Sequence, residues 1–394
     1  MIQRAEIKEL TERLNEPRKF IQVIVGPRQV GKTTMVSQAM EQIDIPHLFF
    51  SADNIFASDE WLAEKWQSAR LMIQTQRLSE LVVVIDEVQK IPNWSERVKK
   101  EWDLDTINDI PIKLVLLGSS RLLIMTGLTE SLAGRFELIR MTHWTWSEMR
   151  DGFGWDLDTY IYYGGYPGAA EMIADEDRWR NYVENAILEA SINKDVLQTS
   201  NIYKPALLRQ LFTLCCAYSG EELSYRKMLG SLQEAGNATT LANYLQLLSE
   251  ANLVSGLQKY ARDKARKYSS TPKLQVFDNA LMNVYNQTSF ASVRTNSALW
   301  GRQVESAVGS YLLSQAEKYR MQVYYWRENN TEVDFILQRG LSVIAIEVKS
   351  NNARTNAGLQ LFRSKYKPLQ AFVVGNEGIP LSDFLQMDLR SLFR

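Results

Sequence analysis

The chain has 394 residues, 45% hydrophobic and 23% charged, with 45 Lys and Arg against 46 Asp and Glu for a net charge of −1. Such a composition belongs to a globular protein of more than one domain, and it excludes both a disordered chain and a partner drawn by overall charge. Two adjacent cysteines, Cys215 and Cys216, and two histidines, His47 and His143, exclude a disulfide framework, a zinc site and chemistry that depends on histidine.

The opening "MIQRAEIKEL" is charged and lacks the apolar centre of a signal peptide, and no apolar run reaches membrane-spanning length. A cytoplasmic protein is therefore expected. From Ile21 to Met141, short apolar segments alternate with helical ones. "IQVIV" (21–25), "HLFFS" (47–51), "LVVVI" (81–85) and "KLVLLG" (113–118) read as buried parallel strands, with "FELIRM" (136–141) as a weaker fifth. That alternation predicts a parallel sheet covered by helices on both faces.

"VIVGPRQVGKTTMV" contains the spacing G-x-x-x-x-G-K-[ST] between a strand and a helix. Gly26, Pro27, Arg28, Gln29, Val30, Gly31, Lys32, Thr33 and Thr34 form the candidate ATP-binding set: glycines let backbone N–H groups wrap phosphate oxygens, and the helix start adds its positive end. Lys32 would reach the β- and γ-phosphates, and the Thr33 hydroxyl would ligate Mg2+. The strand "LVVVID" delivers Asp86, a second Mg2+ ligand, and Glu87, which would polarise the attacking water. "GSSR" follows the next strand, so Ser119 or Ser120 could sense the γ-phosphate; serine capping of a helix is the alternative. Arg135 in "ESLAGRFE" stands where an arginine finger acting on a neighbouring subunit would, with Arg121 as its competitor.

Residues 144–205 read as helical, interrupted by the turn-rich "YYGGYPGAA" (162–170). Three helical segments (206–218, 224–233 and 238–254) and a hairpin built from "LVSGLQKY" and "KYSSTPKLQVFD" then compose a winged helix-turn-helix. Beyond Asn279 come a long helix, 301–319, and the strands "VYYW", "EVDFIL", "LSVIAIEVK" and "AFVVG".

Together these pieces resemble the AAA-type P-loop ATPases that carry a C-terminal DUF4143 domain. "GPRQVGKTT", "VVVIDEVQKIPNWSERVKKEWD", "LGSS" with "ESLAGRFE", "YGGYPGAAE", "YYWRENNTEVDFIL" and "IAIEVKS" carry the resemblance, in the family's order. It implies an α/β fold with a P-loop ATPase core at 1–145, a helical lid at 146–205, a winged helix-turn-helix at 206–276 and a C-terminal domain at 277–394 similar to the PD-(D/E)XK nucleases. Many AAA-type relatives work as rings, so it also implies a homo-oligomer with Arg135 at a subunit interface. The sequence departs from the commoner pattern in lacking a clear sensor-2 arginine after the core.

Lys259, Arg262, Lys264, Arg266 and Lys267 crowd the expected wing tip, which would grip DNA phosphates independently of sequence; a protein-packing module with a solvated basic loop is the other reading. Thr239, Thr240, Asn243 and Gln246 are the polar groups of the expected recognition helix.

In "TEVDFILQRGLSVIAIEVKS", a turn at Arg339–Gly340 would pair 334 with 345 and 332 with 347. Val333, Phe335, Leu337, Ile344, Ile346 and Val348 then share an apolar face. The other face carries Glu332, Asp334, Glu347 and Lys349, with Asp334 and Glu347 as diagonal neighbours roughly 7–8 Å apart. Asp334, Glu347 and Lys349 occupy the D-x(n)-E-x-K constellation of the PD-(D/E)XK nucleases, and Glu305 on the preceding helix matches the acid often found there. The resemblance thus implies a Mg2+ site of Glu305, Asp334 and Glu347 with Lys349 as a catalytic cation, while a charged scaffold without turnover remains open.

Overall fold

The computed structural model describes residues 2–53, 59–119, 121–197, 202–233, 236–261, 270–350 and 356–394, without the side chains of Asp59, Arg121 and Leu122. The chain divides into two compact units, 1–141 with 193–199 and 142–192 with 200–394.

The first unit holds a five-stranded parallel sheet, β1 (Ile21–Val25), β2 (His47–Ser51), β3 (Leu81–Asp86), β4 (Ile112–Leu117) and β5 (Phe136–Arg140), in the order β2-β3-β4-β1-β5. Alternation along each strand feeds two cores. Ile21, Val23, Val83, Ile85, Leu114 and Leu116 pack beneath α3 (Asp59–Gln76), α4 (Trp94–Ile107) and α5 (Arg121–Ser131). Ile24, Val82, Val84, Val115 and Leu117 pack under α1 (Ala5–Asn15) and α2 (Lys32–Met40). Both faces are therefore dry, which is why β1, β3 and β4 read as unbroken apolar runs. β2 corrects the expectation of a buried strand: among the described residues it pairs only with β3, and its residues alternate between exposed and half-buried. Inserted between β1 and β3, β4 carries Ser119 to a place between the phosphate loop and Asp86.

In the second unit, α6 (Trp146–Phe153), α7 (Leu157–Tyr163) and α8 (Glu176–Tyr182) precede two π-helical stretches, Val183–Leu188 and Ser191–Leu197, of which residues from Asn193 belong to the first unit. α9 (Pro205–Ala217), α10 (Tyr225–Ser231) and α11 (Ala238–Glu250) lead into β6 (Val254–Lys259) and β7 (Lys273–Val276), an antiparallel pair. Short helices α12 (Asn279–Asn283) and α13 (Phe290–Thr295) precede the long α14 (Ser297–Tyr319). After these come β8 (Gln322–Glu328), β9 (Thr331–Arg339), β10 (Ser342–Lys349), α15 (Ala357–Tyr366), β11 (Gln370–Gly375) and α16 (Leu381–Phe384). The expected boundary at 276/277 runs through one sheet: β6 pairs in parallel with β8, giving the order β11-β10-β9-β8-β6-β7.

The hairpin differs from expectation in three ways. Arg339 pairs with Ser342 and Phe335 with Ile346, so the turn is Gly340–Leu341, with Gly340 at φ 59° and Leu341 fully exposed. A slip of two residues leaves the faces unchanged, because side chains repeat every two. A second difference does change them. β9 carries one extra residue against β8 between the pairs Trp326–Val333 and Tyr324–Ile336. This bulge moves Val333 onto the face of Ile336, Val343 and Ala345, where all four join the core under α15. Third, the sheet is buried on both faces, with Phe335, Leu337, Ile344 and Ile346 fully buried and α14 packed on the same strands. Asp334 and Glu347 are buried too, at 7% and 6% exposure, so they do not belong to a solvated face.

Candidate nucleotide site and acidic pocket

β1 ends at Val25, and the chain turns through Gly26 into α2 at Lys32. A Cβ on Gly26 would stand 2.4 Å from the Met141 carbonyl oxygen, so only glycine lets the loop leave the strand here. Gln29 and Gly31 take left-handed backbone, φ 58° and 86°, the second as the cap of α2. Lys32 Nζ donates to the carbonyls of Gly26 at 3.0 Å and Pro27 at 2.6 Å. Burial pulls its pKa down to about 8, against the opposing pull of Glu87 and Asp195.

Across from the loop, the Thr33 hydroxyl donates to Asp86 Oδ2 at 2.8 Å. Burial raises the Asp86 pKa, and the hydrogen bonds from Thr33 and from the Glu87 N–H, which reaches Oδ1 at 2.8 Å, work against that rise. Glu87 has left-handed backbone, φ 55°. Its Oε2 accepts from Ser119 Oγ and from Gln89 Nε2, both at 2.8 Å. Gly118 makes room for this arrangement, since a Cβ there would lie 2.1 Å from Gln89 Oε1. Arg28 is paired with Asp195, on the stretch that returns to this unit.

Arg135 lies at the opposite end of the strands. Its carbonyl accepts from Ile21 N–H at the start of β1, and its guanidinium forms a two-bond pair with Asp103 at 2.8 and 3.0 Å, which raises its pKa. It cannot serve the phosphate loop of its own chain.

In the second unit the expected acids fall into two sets. Lys273 of β7, 6% exposed, places Nζ 2.6 Å from Glu305 Oε1 on α14, 3.3 Å from the Asp334 carbonyl oxygen and 4.9 Å from the centre of the Phe335 ring. Burial works to lower the Lys273 pKa, but Glu305 and Asp334 outweigh it and the ammonium is favoured. The Asp334 carboxylate accepts from the Val348 N–H at 2.7 Å, where β9 has parted from β10. Burial, then Glu305, hold the Asp334 pKa well above the usual carboxylate range. Glu347 forms the other set, Oε1 lying 2.6 Å from Lys349 Nζ. Burial raises the Glu347 pKa and its pairing with Lys349 lowers it less. The three acids expected to ligate one metal therefore do not form a metal set. Among the described residues no three His, Cys, Asp or Glu side chains are grouped to hold an ion. The bulge at Asp334–Phe335 breaks the alternation of β9, and the Asp334 carboxylate is taken up by the Val348 N–H. Lys273, Glu305 and Asp334 line a cavity of about 270 Å³, with Glu222, Arg327 and Glu332 at its walls.

The family models match in three stretches. Residues 18–150 match the "AAA domain" model, 154–291 a domain of unknown function, DUF8612, and 300–386 the domain of unknown function DUF4143. The chain carries an AAA domain and a DUF4143 domain. It is similar to "Uncharacterized protein Rv2008c" of Mycobacterium tuberculosis, 26% identical over 373 residues that cover 92% of this chain and 78% of that one. Solved structures with partial likeness include the Aeropyrum pernix ORC1 protein in complex with DNA, at 15% identity, TM-score 0.32, and coverage of 73% of this chain and 92% of that one. AMPPCP-bound DnaA from Aquifex aeolicus aligns at 15% identity and TM-score 0.32, over 62% and 86% of the two chains.

In the AAA domain, Thr33, Asp86, Glu87 and Ser119 are linked by successive hydrogen bonds, with Lys32 next to Thr33 at the start of α2. Sequence reading missed Gln89, three residues past Asp86 with no motif of its own, and Asp195, 167 residues from its partner Arg28. It also missed Lys273, which lies in the DUF8612 stretch and reaches Glu305 of the DUF4143 stretch. α9, α10, α11, β6 and β7 fall inside the DUF8612 match and supply the expected three helices and hairpin. Thr239, Asn243 and Gln246 are exposed on α11, and Gln246 donates to Glu250. Lys259 is half-buried at the end of β6; Arg262, Lys264, Arg266 and Lys267 lie outside the described residues. Among the described residues no helix is long and apolar enough to cross a membrane.

Proposed function

We propose that the AAA domain binds and hydrolyses ATP, and that its nucleotide state governs how the helix–hairpin region and the DUF4143 domain engage DNA. The observation that carries this reading is the placement of Glu87. Its carboxylate is held by Ser119 and Gln89 at the carboxyl end of the sheet, beside the Thr33–Asp86 pair and the phosphate loop. Thr33 and Asp86 present two adjacent oxygens at the helix start, the donor chemistry Mg2+ prefers, and are the residues that would hold it; when bound, the ion neutralises phosphate charge.

The division of labour follows from the side chains. Backbone N–H groups from Gly26 to Thr34 and the ammonium of Lys32 bind and orient the phosphates. Glu87 takes a hydrogen bond from the attacking water and turns its oxygen toward phosphorus, with Ser119 and Gln89 fixing the carboxylate. Arg135 would act on a neighbouring copy's nucleotide in a homo-oligomer such as a ring. In the second unit, an exposed polar face on α11 and the basic stretch 259–267 support contact with DNA backbone. The pairing of Glu305 with Lys273 and of Glu347 with Lys349 supports a DUF4143 domain that binds rather than cuts.

Lys32→Ala should abolish nucleotide binding, whereas Glu87→Gln should bind ATP and fail to turn it over. Normal turnover by Glu87→Gln would remove the proposed base. For DNA, neutralising Lys264, Arg266 and Lys267 should weaken binding and flatten its salt dependence; an unchanged slope would turn the partner from DNA to protein.

A further inference from the structure

The fold family to which "EVDF…IEVK" was likened uses its acids to hold a divalent ion, and the acids of this chain do not fit one as they stand. Glu305 and Asp334 face a cation already built into the protein. Lys273 reaches them from β7, an edge strand of the same sheet but more than 30 residues away in sequence from either acid. Its ammonium spends one donor on Glu305 and one on the Asp334 carbonyl, and it sits over the face of Phe335. Buried and stacked on a ring, it is a fixed charge rather than a surface lysine that happens to lie near. Glu347 is matched separately by Lys349, and its second carboxylate oxygen is buried with no hydrogen-bond partner among the described residues.

We infer that Lys273 takes the place of a metal ion in this pocket, so that the carboxylates of the DUF4143 domain are neutralised by lysines from separate strands and a divalent cation enters only when Lys273 is removed. An ammonium and a divalent ion cannot share the volume between Glu305 and Asp334, because like charges in a buried cavity repel strongly. A tethered lysine also has an advantage over a free ion, since it arrives at no cost in translational entropy. The pocket would therefore serve as a preformed, metal-independent polar surface, with Arg327 and Glu222 paired at its wall. The inference deepens the proposed reading of this domain as a binding module and leaves the ATPase reading untouched.

The test uses the full chain without nucleotide, titrated with Mn2+ and followed by electron paramagnetic resonance of the free ion. Wild type should show no Mn2+ equivalent that depends on Glu305. Lys273→Met should gain one equivalent per chain, bound roughly tenfold more tightly or better than anything in wild type, because removing the lysine leaves Glu305 and Asp334 to an oxygen-seeking cation. Lys273→Met/Glu305→Gln should lose it again. A wild-type equivalent that vanishes in Glu305→Gln overturns the inference, as does a folded Lys273→Met chain that gains nothing. Should Lys273→Met fail to fold, wild type against Glu305→Gln decides alone: a Glu305-dependent ion overturns the inference and its absence supports it. Nucleotide binding measured on the same samples reports on the AAA domain separately, so a failure of that reading is seen as lost ATP binding with the Mn2+ result unaffected.

Discussion

Arg28 and Asp195 are joined by two parallel hydrogen bonds, Nε to Oδ2 at 2.6 Å and Nη2 to Oδ1 at 2.5 Å, with side chains only 16% and 9% exposed. Lys32 is meanwhile held by two carbonyls, so both side-chain cations of the phosphate loop have protein partners that a triphosphate must displace. Asp195→Asn should weaken that competition and tighten ATP binding by roughly three- to tenfold, whereas Arg28→Ala should weaken it by about tenfold. Titration with a fluorescent nucleotide at fixed salt measures both, and weaker binding by Asp195→Asn would contradict the competition.

Ser119 and Gln89 converge on one oxygen of Glu87, with Lys90 Nζ 3.7 Å from the same oxygen. Removing either hydroxyl or amide should lower kcat by about tenfold while leaving nucleotide affinity within about twofold, the signature of a group that orients a base rather than binds substrate. Steady-state hydrolysis by Ser119→Ala and Gln89→Ala separates the two parameters. A rise in KM alone would place Ser119 on the phosphate instead.

Lys32 gives the nucleotide site a pH dependence of definite sign. Its pKa is lowered from 10.5 to about 8 by burial, so it is charged below pH 8 and neutral above. Phosphate favours the charged form, and binding above pH 8 must therefore take up a proton. Affinity should be flat below about pH 7 and fall by up to about tenfold per pH unit above 8. For folding the sign is opposite: between pH 8 and 10.5 the unfolded chain binds more protons, so this group adds stability as pH rises. Titrations at three pH values spanning that range check the first statement.

Gly164 explains part of "YYGGYPGAA". It adopts φ 75°, and a Cβ there would stand 1.8 Å from Asp278 Oδ1, whose partner oxygen accepts from the Gly165 N–H at 2.7 Å. Gly164→Ala should cost roughly 2–4 kcal/mol of stability, combining positive-φ strain with loss of the Asp278 clasp. Thermal unfolding measures it, and a melting temperature unchanged from wild type would show that the clasp does not matter.

Asp278 itself is raised to about 7 by burial, with the Ala280 and Gly165 N–H groups opposing. A folded-state pKa above the unfolded value means that the folded chain binds more protons between the two, so stability declines as pH rises from about 4 to about 7. The unit containing Asp278 should resist urea better at pH 5.5 than at pH 8, and Asp278→Asn should flatten the difference. An Asp278→Asn chain with the same pH slope as wild type would move the effect to another group.

The phosphate loop, Asp86 and Glu87 were legible because their chemistry is written in contiguous spacing at strand ends, where one residue fixes the next. Lys273, Asp195 and Gln89 were not, because each acts on a partner brought near only by the fold, and a lone lysine or aspartate carries no local signature. The hairpin shows the same limit at finer scale. Its apolar period gave the strands and their faces, and a two-residue slip left those faces intact. One extra residue on β9, invisible in the alternation, moved Val333 across the sheet. β2 looked buried because apolar content alone does not say whether a strand has one neighbour or two.

The pairing of β6 with β8 bears on how this protein can be taken apart. A fragment beginning at residue 277 would shed β6 and β7 together, exposing the backbone of β8 as a bare edge ready to recruit another chain. It would also shed Lys273, leaving Glu305 and Asp334 facing each other without their ammonium. Metal uptake by such a fragment would be a property of the cut, and experiments on the isolated DUF4143 stretch would describe a different molecule from the whole chain.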